Sequence, residues 1–163
     1  MDTSPALRDP RERVSPRARS LWHVTASLEG LLIAGVLLVA LAVLTPVDVT
    51  WWLVLVVLAL VAAYAVLVPR WRYAVHRWEV TDTAVYTQVG WWSRERRIAP
   101  MSRIQTVDHA EGPLERAFGL ARVTITTASA AGAVEIAGLD RDRARHLVEE
   151  LTVKADAEPG DAT

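Results

Sequence analysis

The chain begins with two long apolar stretches and then changes to short alternating ones. Residues 31–44 read LLIAGVLLVALAVL, and residues 49–68 form a second run that carries no charge. A helix of about 20 apolar residues crosses a hydrocarbon core of about 30 Å. We therefore predict a two-helix transmembrane hairpin over residues 21–68. Its first helix covers about 21–45 and its second 49–68, and the short TPVD turn at 45–48 joins them.

The charges that flank the two apolar runs predict an orientation. Arginines are frequent in the basic N-terminal segment, residues 1–20, and again just after the second run, whereas the turn at 45–48 contains no Lys or Arg. Cytoplasmic loops of membrane proteins carry the excess of Lys and Arg. We therefore predict a multi-pass protein of the inner (plasma) membrane with both termini in the cytoplasm. The predicted membrane-interface anchors are Trp22, Trp51, Trp52, Arg70, Trp71 and Arg72.

Glu29 is an acidic residue inside the first predicted span, and ionisable residues there are often functional. One interpretation is structural, because Glu29 is close enough to the inner surface to snorkel or to meet Arg70 or Arg72. The other is a proton or ion pathway in a small transport or channel subunit. The second span supplies only Tyr64 and Thr50 as polar partners for such a pathway.

From about residue 70 the pattern changes to the alternation that is typical of strands. Six strands are predicted at residues 73–80, 84–92, 94–99, 104–109, 121–127 and 133–137. Short strands at this spacing predict a small sandwich or a partly open barrel. Asp140 is a suitable N-cap for a final helix with one apolar stripe. The domain is therefore predicted over residues 70–154, followed by a disordered tail at 155–163.

The segment EGPLERAFGL predicts a single helical turn between two strands. Gly112 and Pro113 start it, because proline suits the first helical position. Leu114 and Phe118 lie four residues apart on one face, and Gly119 is placed to end the turn. We interpret this turn as a hydrophobic lid that closes one end of the sheets, in preference to a ligand contact.

Charge and residue counts exclude several functions. The formal net charge is -1 at pH 7, so no strong positive field recruits a nucleic acid. The chain has no cysteine, and its four histidines lack the HxxxH or HExxH spacing of metal sites. No nucleophile elbow or glycine-rich phosphate loop occurs. We therefore expect no enzyme activity, no metal, no cofactor and no nucleic-acid partner.

One cluster of residues does suggest a binding surface, at the predicted second hairpin. It consists of Trp91, Trp92, Arg94, Arg96 and Arg97. Such aromatic and basic side chains could rest on an anionic inner leaflet, where each basic side chain contributes about 1 kcal/mol. Two alternatives remain open: a solvated charged strand with one tryptophan in the core, or a protein interface, where Trp and Arg are enriched.

The order of several motifs resembles that of YdbS-like bacterial membrane proteins, which carry a bacterial pleckstrin-homology-like (PH-like) domain. These motifs are VTDTAVYTQVGWWSRERRIAP, SRIQTVD, GPLERAFGLARVTI and GLDRDRARHLVEEL, and the resemblance covers about residues 20–154. It implies a PH-like barrel of two near-orthogonal antiparallel sheets capped by the C-terminal helix. It also implies a binding or assembly module. The loop at 81–83 is short and acidic, so specific phosphoinositide binding is not carried over.

The resulting prediction is a membrane α-helical hairpin followed by an α+β, mainly-β domain. Its expected function is that of a non-catalytic scaffold or partner-binding module at the cytoplasmic face of the inner membrane. The expected partners are membrane lipids and either further copies of the chain or another PH-like-domain membrane protein. The alternative is an anionic-lipid-sensing module that binds the inner leaflet through the Trp/Arg hairpin.

Overall fold

The computed structural model describes residues 9–44, 49–90, 92–128 and 132–157. Within these ranges the chain forms two long helices, seven strands, a short helix and a C-terminal helix. In chain order they are β1 Glu12–Arg13, α1 Pro16–Leu44, α2 Trp51–Val75, β2 Arg77–Val80, β3 Ala84–Val89, β4 Glu95–Pro100, β5 Ile104–Ala110, α3 Pro113–Ala117, β6 Leu120–Thr127, β7 Val134–Asp140 and α4 Arg141–Ala157. The predicted turn at 45–48 lies outside the described residues.

The strands form two antiparallel sheets, one in the order β1-β2-β3-β4 and the other in the order β5-β6-β7. A 3₁₀ turn at Met101–Arg103 connects them, and α4 packs against the second sheet. The fully buried core side chains include Trp78, Met101, Leu120, Ile125, Leu139, Leu147 and Leu151. Two antiparallel sheets with a C-terminal helix confirm the predicted PH-like fold. The final helix reaches Ala157, two residues past the predicted start of the tail at Ala155.

The short helix α3 confirms the predicted plug between β5 and β6. Gly112 is its N-cap, and its N–H donates to the Glu115 carboxylate at 2.7 Å. Gly119 follows the helix with φ +67°, a backbone conformation that favours glycine. Phe118 is half-buried and packs against the core, whereas Leu114 stays exposed. Of the two apolar side chains predicted to share one face of this turn, Phe118 therefore packs on the core and Leu114 does not.

Helix α1 is longer than the span that the sequence predicted. Its 29 residues measure about 43 Å at 1.5 Å per residue, whereas a hydrocarbon core is about 30 Å thick. The additional residues, 16–20, lie at its N-terminal end; Ala18 among them, and Leu21 and Trp22 in the next turn, are buried in the core of the domain. The segment before them is also part of the domain, because β1 pairs with β2. The sequence predicted a separate N-terminal segment at residues 1–20. Its described part instead belongs to the domain, which corrects that prediction.

The start of α1 lies directly against β7. The Ser15 N–H donates to the Gly138 carbonyl at 2.8 Å, and the Ser15 hydroxyl donates to Asp140 at 2.9 Å. Gly138 has φ +77°, and a Cβ atom placed there would lie 2.8 Å from the Cβ of Ala18. No real Cβ atom tolerates that distance, so only glycine allows this close approach of helix and strand.

Helix α2 continues through Pro69 to Val75, beyond the predicted transmembrane span, which ends at Val68. Consequently residues 73–75 are helical, and the first strand of the predicted set begins only at Arg77. Proline normally breaks a helix, because it has no N–H to donate to the carbonyl four residues earlier. Here that carbonyl belongs to Ala65, and His23 Nδ1 of α1 lies 2.7 Å from it. A carbonyl can only accept, so His23 donates the bond that Pro69 cannot.

We expect the contribution of His23 to depend on Pro69. His23→Ala leaves the Ala65 carbonyl without its donor, and a buried unsatisfied group costs about 1–3 kcal/mol. In a Pro69→Ala background the alanine N–H supplies the missing helical bond, so the same His23 substitution should cost much less. Unfolding of the four proteins of this double-mutant cycle in detergent measures the coupling. Equal costs in both backgrounds would contradict this pairing.

Candidate functional site

The hairpin between β3 and β4 carries the predicted binding surface. Gly90, with φ +119°, turns the chain at the end of β3, where a Cβ atom would lie 1.8 Å from the Ser93 carbonyl oxygen. Trp91 lies outside the described residues. Trp92 is 88% exposed at the tip of the hairpin. The hairpin therefore presents a large aromatic side chain away from the core of the domain.

Arg96 connects distant parts of the chain instead of presenting a free charge. Its Nε donates to the Gln88 side chain at 2.9 Å, and its guanidinium also pairs with Asp9. The buried Gln88 amide donates in turn to the Val75 carbonyl at 3.0 Å, at the C-terminal end of α2. Arg96 thus joins the N-terminal segment, the first sheet and α2, which is a structural role.

Arg97 also has partners within the protein. It pairs with Glu95 at 2.6 Å and donates from Nη1 to the Ala133 carbonyl at 2.8 Å, across to the second sheet. Arg94 is exposed and forms no ion pair within the described part of the chain. The structure therefore does not assemble the arginines of the hairpin into one basic surface.

The structure instead places the hairpin tip beside α2. Trp92 lines one side of an open groove of about 890 Å³, and Arg70 and Trp71 line it from the last turns of α2. The remaining lining residues are Ala63, Tyr64, Leu67, Val68 and Ala74. We call this feature the α2–hairpin groove. It brings together one residue of the predicted hairpin surface and two of the predicted membrane-interface anchors.

The other predicted anchors divide into exposed and buried residues. Trp51 and Trp52 are exposed in the first turn of α2, at the end away from the domain. Trp22, by contrast, is only 6% exposed and belongs to the core of the domain. The Arg72 guanidinium lies over its ring, 4.4 Å from the centroid. Trp22 is therefore not an exposed anchor, because this face of α1 packs on the domain, and Arg72 is held against it.

His76 lies beside Trp22, with the two ring centroids 4.9 Å apart. Its Nδ1 donates to the Arg72 carbonyl at 2.9 Å, because that oxygen can only accept. Burial lowers the pKa of His76 to about 4, and the nearby positive charge of Arg72 acts in the same direction. His76 also lines a polar cavity of about 340 Å³, together with Arg97 and Glu135. It is therefore a neutral hydrogen-bond donor near pH 7.

We expect His76 to make the protein less stable as the pH falls. In the unfolded chain the pKa of this histidine is about 6.5. Between pH 6.5 and 4 the unfolded state therefore binds a proton that the folded state does not bind. The free energy of unfolding should therefore fall by about 3 kcal/mol across this window. His76→Gln, which does not titrate, should show a smaller loss when thermal unfolding is followed between pH 7 and pH 4. Parallel pH profiles of the two proteins would contradict this.

Catalytic or metal-binding arrangements are not evident in the residues that the structure describes. No group of three or more His, Asp or Glu side chains within these residues is placed to hold a metal ion. Glu29 is exposed on α1 and lies in no direct ion pair with Arg70 or Arg72 among the described residues, although its charge interacts with that of Arg72. The polar cavity and the α2–hairpin groove each combine charged side chains with a concave surface in the described part of the chain.

The chain is similar to one protein family and to one curated relative, and the two matches agree. A family model described as "Bacterial PH domain" matches residues 24–154. A curated relative in Bacillus subtilis (strain 168) is "UPF0699 transmembrane protein YdbS", which is 30% identical over 151 residues. That alignment covers 87% of this chain and 92% of the relative. No solved structure matches the chain significantly.

Proposed function

Because this membrane protein belongs to the bacterial PH domain family, we propose that it acts as a non-catalytic scaffold or partner-binding module at the cytoplasmic face of the inner membrane. In this proposal α1 and α2 each cross the membrane. Both ends of the described chain belong to one domain, since β1 pairs with β2 and Glu12 pairs with Arg143 of α4 at 3.4 Å. That arrangement supports an even number of crossings, and the flanking arginines favour the cytoplasmic side.

The observation that carries the proposal is the continuity of α1 with the core of the domain. One face of its N-terminal turns, with Ala18, Leu21 and Trp22, is buried in the core of the domain, and the same helix then continues into the apolar segment. The domain is therefore fixed to the hairpin, without a flexible linker between them. A binding surface that is already oriented at the membrane loses less entropy when a partner binds.

The alternative is an anionic-lipid sensor that uses the Trp/Arg hairpin. The exposure of Trp92 favours it, because tryptophan side chains concentrate at membrane–water interfaces. The pairing of Arg96 with Asp9 and of Arg97 with Glu95 weighs against it. Among the described residues, only Arg94 would remain as an unpaired cation on the hairpin. The hairpin therefore lacks the broad basic surface that this alternative needs.

The oligomeric state of the full-length protein tests the scaffold. We expect the tagged protein, extracted from membranes in mild detergent, to run in native mass spectrometry as a defined homo-oligomer or as a stoichiometric complex with a second PH-like-domain membrane protein. Arg94→Glu serves as a surface control and should leave the complex intact. A monomer without a partner over a range of detergents would contradict the scaffold proposal.

A further inference from the structure

The α2–hairpin groove has two exposed tryptophans from different elements. Trp71 is 57% exposed on α2 and Trp92 is 88% exposed on the hairpin, and both line the same groove. The wall below them is apolar and is formed by side chains such as Ala63 and Leu67. Large exposed apolar side chains that converge on one groove mark an interaction site.

The groove also contains a cation without an acidic partner. Arg70 is exposed and forms no ion pair among the described residues, and it lies on the same groove as the two tryptophans. The neighbouring arginines differ, because Arg72 lies over Trp22 and Arg96 pairs with Asp9. Arg70 is thus a positive charge available for a ligand, and arginine suits phosphate groups because its planar fork donates two hydrogen bonds.

The polarity of the groove changes along α2. From Arg70 back to Ala63 is about 10 Å along the helix, and over that distance the lining changes from Arg70 and Trp71 to mainly apolar side chains, with Tyr64 beside Ala63. A molecule that fills the groove therefore needs an anionic end, an amphipathic middle and an apolar end. An anionic phospholipid has all three, and its apolar end would point towards the uncharged part of α2.

We infer that the α2–hairpin groove binds one anionic phospholipid of the inner leaflet. Its phosphate meets Arg70, its glycerol and headgroup lie between Trp71 and Trp92, and one acyl chain follows Leu67 and Ala63. This site rests on the proposed topology, which places the end of α2 at the inner leaflet. It differs from the predicted hairpin surface, because its cation comes from α2 and not from Arg94, Arg96 or Arg97.

Native mass spectrometry of the delipidated full-length protein tests the site. The protein in detergent is titrated with phosphatidylglycerol or with phosphatidylcholine of the same acyl chains. We expect one phosphatidylglycerol to bind at least about fivefold more tightly than phosphatidylcholine. Arg70→Gln should weaken phosphatidylglycerol binding about tenfold or more, and Trp92→Ala should weaken both lipids. Arg94→Gln, on the same hairpin but outside the groove, is the matched control and should change neither.

Two results would overturn the site. One is equal binding of the two lipids, and the other is an equal loss in Arg70→Gln and Arg94→Gln, which would mean that charge acts without a defined site. The thermal unfolding midpoint of each variant should stay unchanged, because all three side chains are exposed. The same spectra separate this inference from the scaffold proposal: an oligomer without lipid preference overturns the site alone, and a monomer that binds one phosphatidylglycerol overturns the scaffold alone.

Discussion

Replacing Trp22 by alanine should lower the free energy of unfolding by about 3–5 kcal/mol, the usual cost of removing a buried aromatic side chain. Trp22 is buried where α1, α2 and the domain meet. Its ring contacts His76 and supports the Arg72 guanidinium, so the truncation also removes a cation–π contact. The thermal or denaturant-induced unfolding of the full-length protein in detergent measures this loss.

Trp71→Ala is the matched control for this prediction, because Trp71 is an exposed tryptophan near the same end of the apolar hairpin. It should change the free energy of unfolding by less than about 0.5 kcal/mol. If both substitutions had the same small effect, Trp22 would be an exposed anchor, as the sequence pattern indicated, and the packing of α1 on the domain would be wrong.

Replacing Gly138 by alanine should separate α1 from β7. The new Cβ atom would clash with Ala18, and the residue would also have to adopt φ +77°. The left-handed conformation costs about 1–2 kcal/mol, and overpacking adds about 1–3 kcal/mol. We therefore expect a loss of about 2–5 kcal/mol in the free energy of unfolding, together with greater motion of the domain relative to the helices.

Two control variants distinguish the two contributions at Gly138. Gly132→Ala introduces the same backbone strain at φ +80°, but nothing lies within 4 Å of the new Cβ atom, so it should cost only about 1–2 kcal/mol. Combining Gly138→Ala with Ala18→Gly removes the clash and should recover most of the additional loss. If Gly132→Ala and Gly138→Ala were equally destabilising, close packing of α1 on β7 would be refuted.

Most elements of the fold could be predicted from the sequence, because their signals are local. The two apolar runs, the alternating strands and the α3 plug each follow from a pattern within a few residues. β1 could not be predicted, since Glu12 and Arg13 show no apolar alternation and the strand exists only through its pairing with β2. The continuation of α2 past Pro69 depends on His23, a residue on another helix.

The candidate site was less predictable, because its contacts join residues that lie far apart in the sequence. Arg96 and Arg97 are neighbours in sequence, but successive side chains of a strand point to opposite faces, so one pairs with Asp9 and the other reaches Ala133. Strand alternation could have separated them in advance. The meeting of Arg70 and Trp92 has no sequence signal, since it follows only from the packing of the hairpin beside α2.

If α1 fixes the PH-like domain to the two apolar helices, the domain should keep one distance from the far end of α1. Because the chain has no cysteine, spin labels can be attached at introduced cysteines alone. Leu44→Cys at the far end of α1 and Val153→Cys on α4 are both exposed positions. Electron–electron double resonance of this pair in lipid nanodiscs should give one narrow distance distribution, as narrow as that of a Glu135→Cys/Val153→Cys pair within the domain. A broad or multimodal distribution for the first pair alone would show a loosely tethered domain and contradict a rigid attachment through α1.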